Sequence, residues 1–94
     1  MARRSTFRGG IFVTGLDRRP DRVVISLFAS RPTPLDELRR RLRLYDSAGT
    51  AYVLLTREPE VIDGRGQLVF TPSAPEGVTW LKLEEPGSGL VWRL

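Results

Sequence analysis

Apolar and polar residues alternate along much of this chain with a period of two, and turn-forming residues interrupt the alternation about every eight to twelve residues. Side chains of an extended strand point to opposite faces, so the alternation predicts strands with one buried face. Short strands at this spacing are typical of an immunoglobulin-like β-sandwich. Seven antiparallel strands are predicted, over residues 10–16, 22–30, 40–46, 51–56, 67–71, 78–84 and 90–94.

The clearest local signal is the stretch 42–56, where two alternating runs flank Asp46-Ser47-Ala48-Gly49. An Asp side chain can accept a hydrogen bond from its own backbone two residues on, and Gly tolerates a positive φ. Both properties suit a short hairpin loop. The stretch therefore predicts a β-hairpin, with Ala51, Val53 and Leu55 on the buried face of its second strand.

Strand 22–30 is apolar on both sides, because Val23, Ile25 and Leu27 share one face while Val24 and Phe28 share the other. Strands of this kind run through the middle of a sheet. The predicted core combines the inward faces of all the strands: Val23, Ile25, Leu27, Leu42, Leu44, Val53, Leu55, Leu68, Phe70, Leu81 and Leu83.

Two patterns compete between residues 33 and 44. Thr33 is a candidate N-cap, Pro34 suits the first helical position, and leucines follow at helical spacing. The arginines of the same segment instead alternate at period two, as in a strand. We assign a strand to residues 40–46 and a loop or a single helical turn to 34–38, which leaves room for a helical turn near 34–40.

Composition narrows the chemistry that the chain can support. The sequence has no Cys and no His, which excludes disulfides, thiol nucleophiles, serine–histidine systems and nearly all zinc sites. The acids Glu58, Glu60 and Asp63 match no known calcium loop and are interpreted as part of a solvated connection. We expect no enzyme activity, no catalytic residue, no metal and no cofactor.

The chain contains no run of the roughly 20 apolar residues that a membrane helix needs. Arg3 and Arg4 form a twin arginine, but a short predicted strand follows where a signal peptide would have a longer apolar core. The sequence therefore predicts a cytoplasmic protein without a membrane partner.

Three spaced motifs carry a resemblance to a known class of domain. They are Asp46-x-x-Gly49-Thr50-x-Tyr52, then Gly66-x-Leu68-x-Phe70-x-Pro72-x-x-Pro75, then Leu81-x-Leu83. Across about residues 42–84 the chain resembles the second half of immunoglobulin-like accessory domains of uncharacterised bacterial proteins. The resemblance implies a β-sandwich without the Cys pair of antibody domains, and a binding or scaffolding role without a named ligand.

Charge is unevenly distributed. Residues 1–43 hold eleven Arg against four acids, a net of +7, whereas residues 44–94 have a net of −3. On a strand, Arg39, Arg41 and Arg43 (the arginine stripe) would stand about 6.6–6.8 Å apart on one face, with Tyr45 at its end. Three interpretations stay open: an edge made soluble by charge, a contact for an acidic protein, or a contact for phosphates with Tyr45 as a stacking platform.

Two further elements are candidates for contact with a partner. The basic segment 1–9 carries Arg3, Arg4, Phe7 and Arg8, and is interpreted either as a frayed terminus or as an arm that docks Phe7 on a neighbour. Trp80 would face outward if Leu81 and Leu83 face the core, either as an interface anchor or under a loop of the same chain.

These observations predict two domain parts, a basic N-terminal arm (1–9) and a single β-sandwich domain (10–94). The predicted function is a non-enzymatic protein interaction or assembly module that uses edge strands and the arm, with another protein or a second copy of itself as partner. The alternative is a nucleic-acid-binding module that uses the arginine stripe.

Overall fold

The computed structural model of the chain describes residues 5–94, which form eight strands and one short helix. In chain order the elements are β1 (Ser5–Phe7), β2 (Ile11–Arg18), β3 (Val23–Pro34), α1 (Leu35–Arg41), β4 (Arg43–Asp46), β5 (Val53–Leu54), β6 (Val61–Thr71), β7 (Trp80–Glu85) and β8 (Ser88–Arg93).

The strands form two antiparallel sheets. Sheet A has the order β1-β2-β3-β6-β5, and sheet B has the order β4-β7-β8. The protein is therefore mostly β, which confirms the predicted all-β class.

One hydrophobic core contains the inward side chains of both sheets, with Ile25 and Leu68 from sheet A and Leu81 and Leu83 from sheet B. Nine of the predicted core residues are buried: Val23, Ile25, Leu27, Leu42, Leu44, Leu68, Phe70, Leu81 and Leu83. Outside the central strand they alternate with less buried residues, which is the period-two pattern that predicted them.

Strand β3 lies at the centre of sheet A, between β2 and β6, as its apolar character on both sides predicted. Val23 and Ile25 face the core, and Val24 on the opposite face is also buried. Phe28, on that same outer face, is 41% exposed.

The predicted hairpin over residues 42–56 is wrong. Strand β4 pairs with β7 in sheet B, and β5 pairs with β6 in sheet A, so the segment between them crosses from one sheet to the other. The crossing also reverses the predicted faces of the second strand. Val53 and Leu55 are 60% and 46% exposed, while Leu54 packs against the core.

The segment 35–41 is helical rather than extended. Pro34 occupies the N-cap position without a side-chain cap, and Leu35 and Leu38 are buried on one face of α1. Burial of leucines three residues apart stabilises a helix and outweighs the period-two arrangement of the arginines.

Among residues 5–94, no helix has the length and apolar character needed to span a membrane.

The charged connection predicted over residues 57–66 is shorter than expected. Strand β6 begins at Val61 rather than at Gln67, because β3 continues to Pro34 and supplies a pairing partner for residues 61 and 62. A glycine is needed at position 66 of this long strand, because the side chain of Ile62 packs over it: a Cβ at that position would lie 2.7 Å from Cγ2 of Ile62.

Phe7 is part of the core and not of a free arm. Its side chain is 2% exposed, and β1 pairs with β2 in register with Ile11. An apolar ring of this size gains more from burial in the chain's own core than from exposure to water. The prediction that Phe7 docks on a partner is therefore wrong, and Arg3 and Arg4 lie outside the described residues.

The carboxylate of Glu85 fixes the chain directly after Phe7. Glu85 is buried, with a side chain that is 1% exposed, and accepts a hydrogen bond from the backbone N–H of Arg8 at 2.6 Å. Arg41 donates to the same carboxylate through Nε and Nη2, and Nη2 also donates to the carbonyl of Arg8. A buried carboxylate needs such partners, so this cluster joins the β1–β2 turn, α1 and β7.

A pair of Phe→Ala substitutions tests the position of β1. Phe7→Ala removes a buried ring and is expected to lower the free energy of unfolding by about 3–5 kcal/mol, whereas Phe28→Ala removes an exposed ring and is expected to cost about 1 kcal/mol or less. Chemical denaturation of both variants measures the difference. Equal, small losses would show that Phe7 is not part of the core.

Candidate functional site

Strand β4 ends in a turn that is built on the carboxylate of Asp46. Oδ1 accepts hydrogen bonds from the backbone N–H groups of Ala48 and Thr50, each at 2.9 Å, and Oδ2 accepts one from the hydroxyl of Tyr52 at 2.7 Å. The bond from Ala48 is the local Asp turn that the sequence predicted. The bonds from Thr50 and Tyr52 show that the same carboxylate also holds the segment that follows the turn.

These contacts determine the ionisation of both side chains. Burial would raise the pKa of Asp46, but hydrogen bonds from Thr50, Tyr52 and Ala48 stabilise the charged form and lower the pKa to about 2. Burial and the hydrogen bond to Asp46 raise the pKa of Tyr52 above its ordinary value, as does the negative charge of Asp46. Asp46 is therefore a permanent acceptor, and Tyr52 a permanent donor, at neutral pH.

The crossing of the chain after Asp46 leaves an open groove between two edge strands. One wall is β4, the edge strand of sheet B, and the other is the segment that leads into β5, the edge strand of sheet A. We call this cleft of about 550 Å³ the edge groove. Its lining residues are Arg39, Leu42, Arg43, Leu44, Tyr45, Gly49, Thr50, Ala51, Tyr52, Val53 and Leu54.

The lining of the edge groove combines apolar side chains with positive charge. Val53 and Tyr45 are exposed, and Leu54 is partly buried between the groove and the core. The guanidinium of Arg43 is exposed and makes no ion pair or hydrogen bond with residues 5–94. No acidic residue lines the groove, and Glu84, which lies opposite Arg43 on β7, forms its ion pair with Lys82. An occupant therefore meets an apolar surface beside a cation that forms no ion pair with a described residue.

Backbone groups of β4 are also available in the edge groove. Within the described chain, β4 pairs only with β7, by the register Arg43–Glu84 to Asp46–Leu81. Because the N–H and C=O groups of a strand point alternately to its two sides, half of those in β4 point away from β7. The carbonyl of Asp46 accepts a bond from Gly49, but the backbone of residues 43–45 makes no such additional bond with a described residue.

Arg39 lies at one end of the edge groove. Its guanidinium donates to Oδ1 of Asp36 at 2.6 Å and to the carbonyl oxygen of Thr56. Beyond it lies a larger cleft of about 720 Å³, which shares Arg39 and Leu54 with the groove but is also lined by Asp36 and Glu60. Those acids offset the charge of the neighbouring arginines, so the smaller groove is the more strongly positive of the two.

Aromatic and basic residues continue from the edge groove onto the outer face of sheet B. Tyr45 lies opposite Lys82, which lies opposite Val91, and Trp80 lies opposite Arg93 in the same sheet. Lys82 passes over Gly89 and forms an ion pair of 2.7 Å with Glu84. Trp80 is half-buried on this face, so the prediction that it points away from Leu81 is confirmed.

The structure separates the predicted site residues into three groups. Arg39, Arg43 and Tyr45 line the edge groove, with Trp80 on the adjoining sheet face. Phe7, Arg41 and the backbone of Arg8 belong to the core and to the Glu85 cluster. Arg3 and Arg4 are not described.

The arginine stripe does not exist as predicted, because Arg39 and Arg41 lie on α1 and only Arg43 lies on a strand. Arg39 is paired with Asp36, and Arg41 with Glu37 and Glu85. A row of free guanidinium groups at phosphate spacing is therefore absent from this part of the described chain.

Sequence reasoning missed the second wall of the groove. Ala51, Val53 and Leu55 alternate with Tyr52 and Leu54, so both faces of the segment are apolar and the period of two does not select one. The deciding interaction is the hydrogen bond from Tyr52 to Asp46, which turns Tyr52 inward. An Asp six residues before a Tyr was the signal in the sequence.

Comparison with known proteins adds no relative: no family model matches the chain, and neither curated proteins nor solved structures give a significant match. Within residues 5–94 no group of three or more Asp or Glu side chains is arranged to hold a metal ion. The proposals below therefore depend on the geometry of the chain itself.

The Asp46 turn predicts a specific pH dependence of stability. The folded pKa of about 2 lies below the ordinary value of 3.8, so the ionised carboxylate contributes about 2 kcal/mol that is present above pH 4 and lost as the pH falls toward 2. Asp46→Asn removes the charge with little change in shape. The free energy of unfolding of the wild type should exceed that of the variant by about this amount near neutrality.

The difference between the two proteins should shrink as the pH falls through the range between these two pKa values, as measured by urea denaturation at a series of pH values. Other carboxylates are common to both proteins and cancel. A difference that stays constant with pH would show that Asp46 is not ionised by these contacts.

Proposed function

We propose that the protein is a non-enzymatic interaction module that binds another protein at the edge groove. The observation that carries the proposal is the coincidence, in one open cleft, of an edge strand with free backbone groups, exposed Tyr45 and Val53, and the unpaired guanidinium of Arg43. Tyr and Arg are enriched among the residues that dominate binding energy in protein interfaces. An exposed edge strand is itself a template for pairing.

The charge of the groove favours an acidic partner. Arg43 has no partner among the described residues, and the groove lining contains no carboxylate. A carboxylate on the partner could accept two parallel hydrogen bonds from the guanidinium of Arg43, and charge-assisted bonds of this kind are stronger than neutral ones. Complementary charge would also raise the association rate and discriminate against basic partners.

We also propose that the architecture is an immunoglobulin-like β-sandwich. Constant-type immunoglobulin domains place strands A, B, E and D in one sheet, in the order A-B-E-D, and strands C, F and G in the other. Taken in chain order from β2, the strands here have the sheet orders β2-β3-β6-β5 and β4-β7-β8, which is the same arrangement. In these terms β4 corresponds to strand C and β5 to strand D.

Binding to nucleic acid is the second candidate. It is favoured by the outer face of sheet B, where Tyr45 and Trp80 lie among Arg43, Lys82 and Arg93, since aromatic side chains between cations suit stacked bases and phosphates. It is disfavoured by the loss of the arginine stripe and by the pairing of Lys82 with Glu84. A protein partner therefore remains the preferred proposal.

Selection of random linear peptides displayed on phage tests the proposal, because it does not require the partner to be identified first. The selected peptides should be acidic, and the double variant Arg43→Ala/Tyr45→Ala should bind them at least about 2 kcal/mol more weakly than the wild type. The matched control is Arg65→Ala/Phe28→Ala on the outer face of sheet A, where Phe28 and Tyr45 are equally exposed. The control should bind as the wild type does.

Three outcomes would contradict the proposal. The first is that no peptide is enriched, and the second is that the control loses as much affinity as the groove variant. The third is a protein that ignores peptides and binds single-stranded nucleic acid with a steep dependence on salt, for which the slope is about −0.7 per phosphate contact. Sedimentation velocity of the wild type and the groove variant separates self-association from binding to a different protein.

A further inference from the structure

We infer that the partner contributes an extended segment, which adds to sheet B as a fourth strand beside β4. The inference rests on the proposed function, and it specifies how the edge groove binds and what sequence it accepts. Strand addition to an open sheet edge obtains affinity from backbone hydrogen bonds and specificity from alternate side chains.

The backbone of β4 supplies the hydrogen bonds. In residues 43–45, the N–H and C=O groups that point away from β7 belong to alternate residues and bond to no other described residue. At the far end, Asp46 holds the chain in its turn by accepting hydrogen bonds from Ala48 and Thr50, so the end of the edge strand is fixed by contacts within the chain itself. A preformed edge avoids part of the entropic cost of ordering on binding.

The position beside β4 accommodates a strand in related architectures. Variable-type immunoglobulin domains add strands C′ and C″ to the sheet that contains C, F and G, next to strand C. Here residues 47–52 carry the chain directly from β4 to the sheet A edge and place no strand at that position. The edge groove therefore lies between β4 and the segment that leads into β5.

The two faces of β4 specify the side chains of the added strand. Arg43 and Tyr45 project to the outer face, while Leu44 projects to the core. Side chains that lie side by side on neighbouring strands interact directly, so outward residues of the segment meet the cation of Arg43. Inward residues meet Leu54 and the groove floor. The expected segment therefore alternates acidic residues, facing outward, with apolar residues, facing inward.

The other sheet edges fit an added strand less well. Strands β1 and β5 have only three and two residues. Strand β8 is longer, but β1 lies against it, and its cation, Arg93, is the last residue of the strand and lies opposite Trp80. Among the edge strands of the described chain, β4 alone combines an open side, an apolar groove and an unpaired arginine.

A short blocked peptide in which Val and Glu alternate is the probe, and its binding is followed by fluorescence anisotropy. Single backbone N-methyl groups are placed at successive positions along the peptide. In an antiparallel or a parallel ladder only alternate N–H groups of the added strand bond to the neighbouring strand. N-methylation should therefore weaken binding about tenfold at every second position and hardly at all at the positions between.

The controls test whether binding requires the alternation and the negative charge of the peptide, and whether it occurs at the edge groove. A peptide with the same composition but without alternation, and one in which Lys replaces Glu, should each bind at least about tenfold more weakly. The variant Arg43→Ala/Tyr45→Ala should reduce binding of the parent peptide, whereas Arg65→Ala/Phe28→Ala should not.

Two results would overturn the inference. If the parent peptide or the phage-selected peptides bind and depend on Arg43 and Tyr45, but N-methylation shows no period of two, strand addition is wrong while the edge groove remains a protein-binding site. If neither kind of peptide binds, or binding is independent of Arg43 and Tyr45, both the strand addition and the proposed function are wrong.

Discussion

The carboxylate of Asp46 receives three hydrogen bonds, and with them it sets the path of the chain between the two sheets. The backbone bonds from Ala48 and Thr50 end β4, and the bond from Tyr52 turns the following segment inward. Because this carboxylate is buried and stays ionised, each bond is worth more than a neutral one at the surface. The same interaction thus ends one edge strand, positions the next, and leaves the edge groove between them.

A second buried carboxylate has a comparable role at the other end of the paired strands β4 and β7. Glu85 accepts bonds from the Arg8 backbone and the Arg41 guanidinium, and so connects residues distant in the sequence. With Arg41 used there and Arg39 bonded to Asp36, the arginine-rich segment serves mainly to fix α1. Of its members, Arg43 lies on β4, lines the edge groove and forms no ion pair with a described residue.

The alternation of apolar and polar residues was sufficient to predict which strand residues are buried where only one face of the strand is apolar, and which strand is central. Leu81 and Leu83 have one apolar face and lie in the core as expected, and β3 is central because both of its faces are apolar. Local patterns did not predict the structure where contacts between residues distant in the sequence determine it. Pairing of Arg41 with Glu85, 44 residues apart, has no local signature, and residues 51–55 are apolar on both faces, so their orientation and the groove depend on the bond from Tyr52 to Asp46.

The central claim is that the open side of β4 binds a partner through its backbone. Amide hydrogen exchange measured by NMR, with and without the alternating Val and Glu peptide, tests it residue by residue. The claim predicts that the amides of β4 that point away from β7 exchange more slowly in the complex, while amides of β8 and of the outer strands of sheet A are unchanged. Slower exchange confined to β8 or to sheet A, with β4 unaffected, would contradict it.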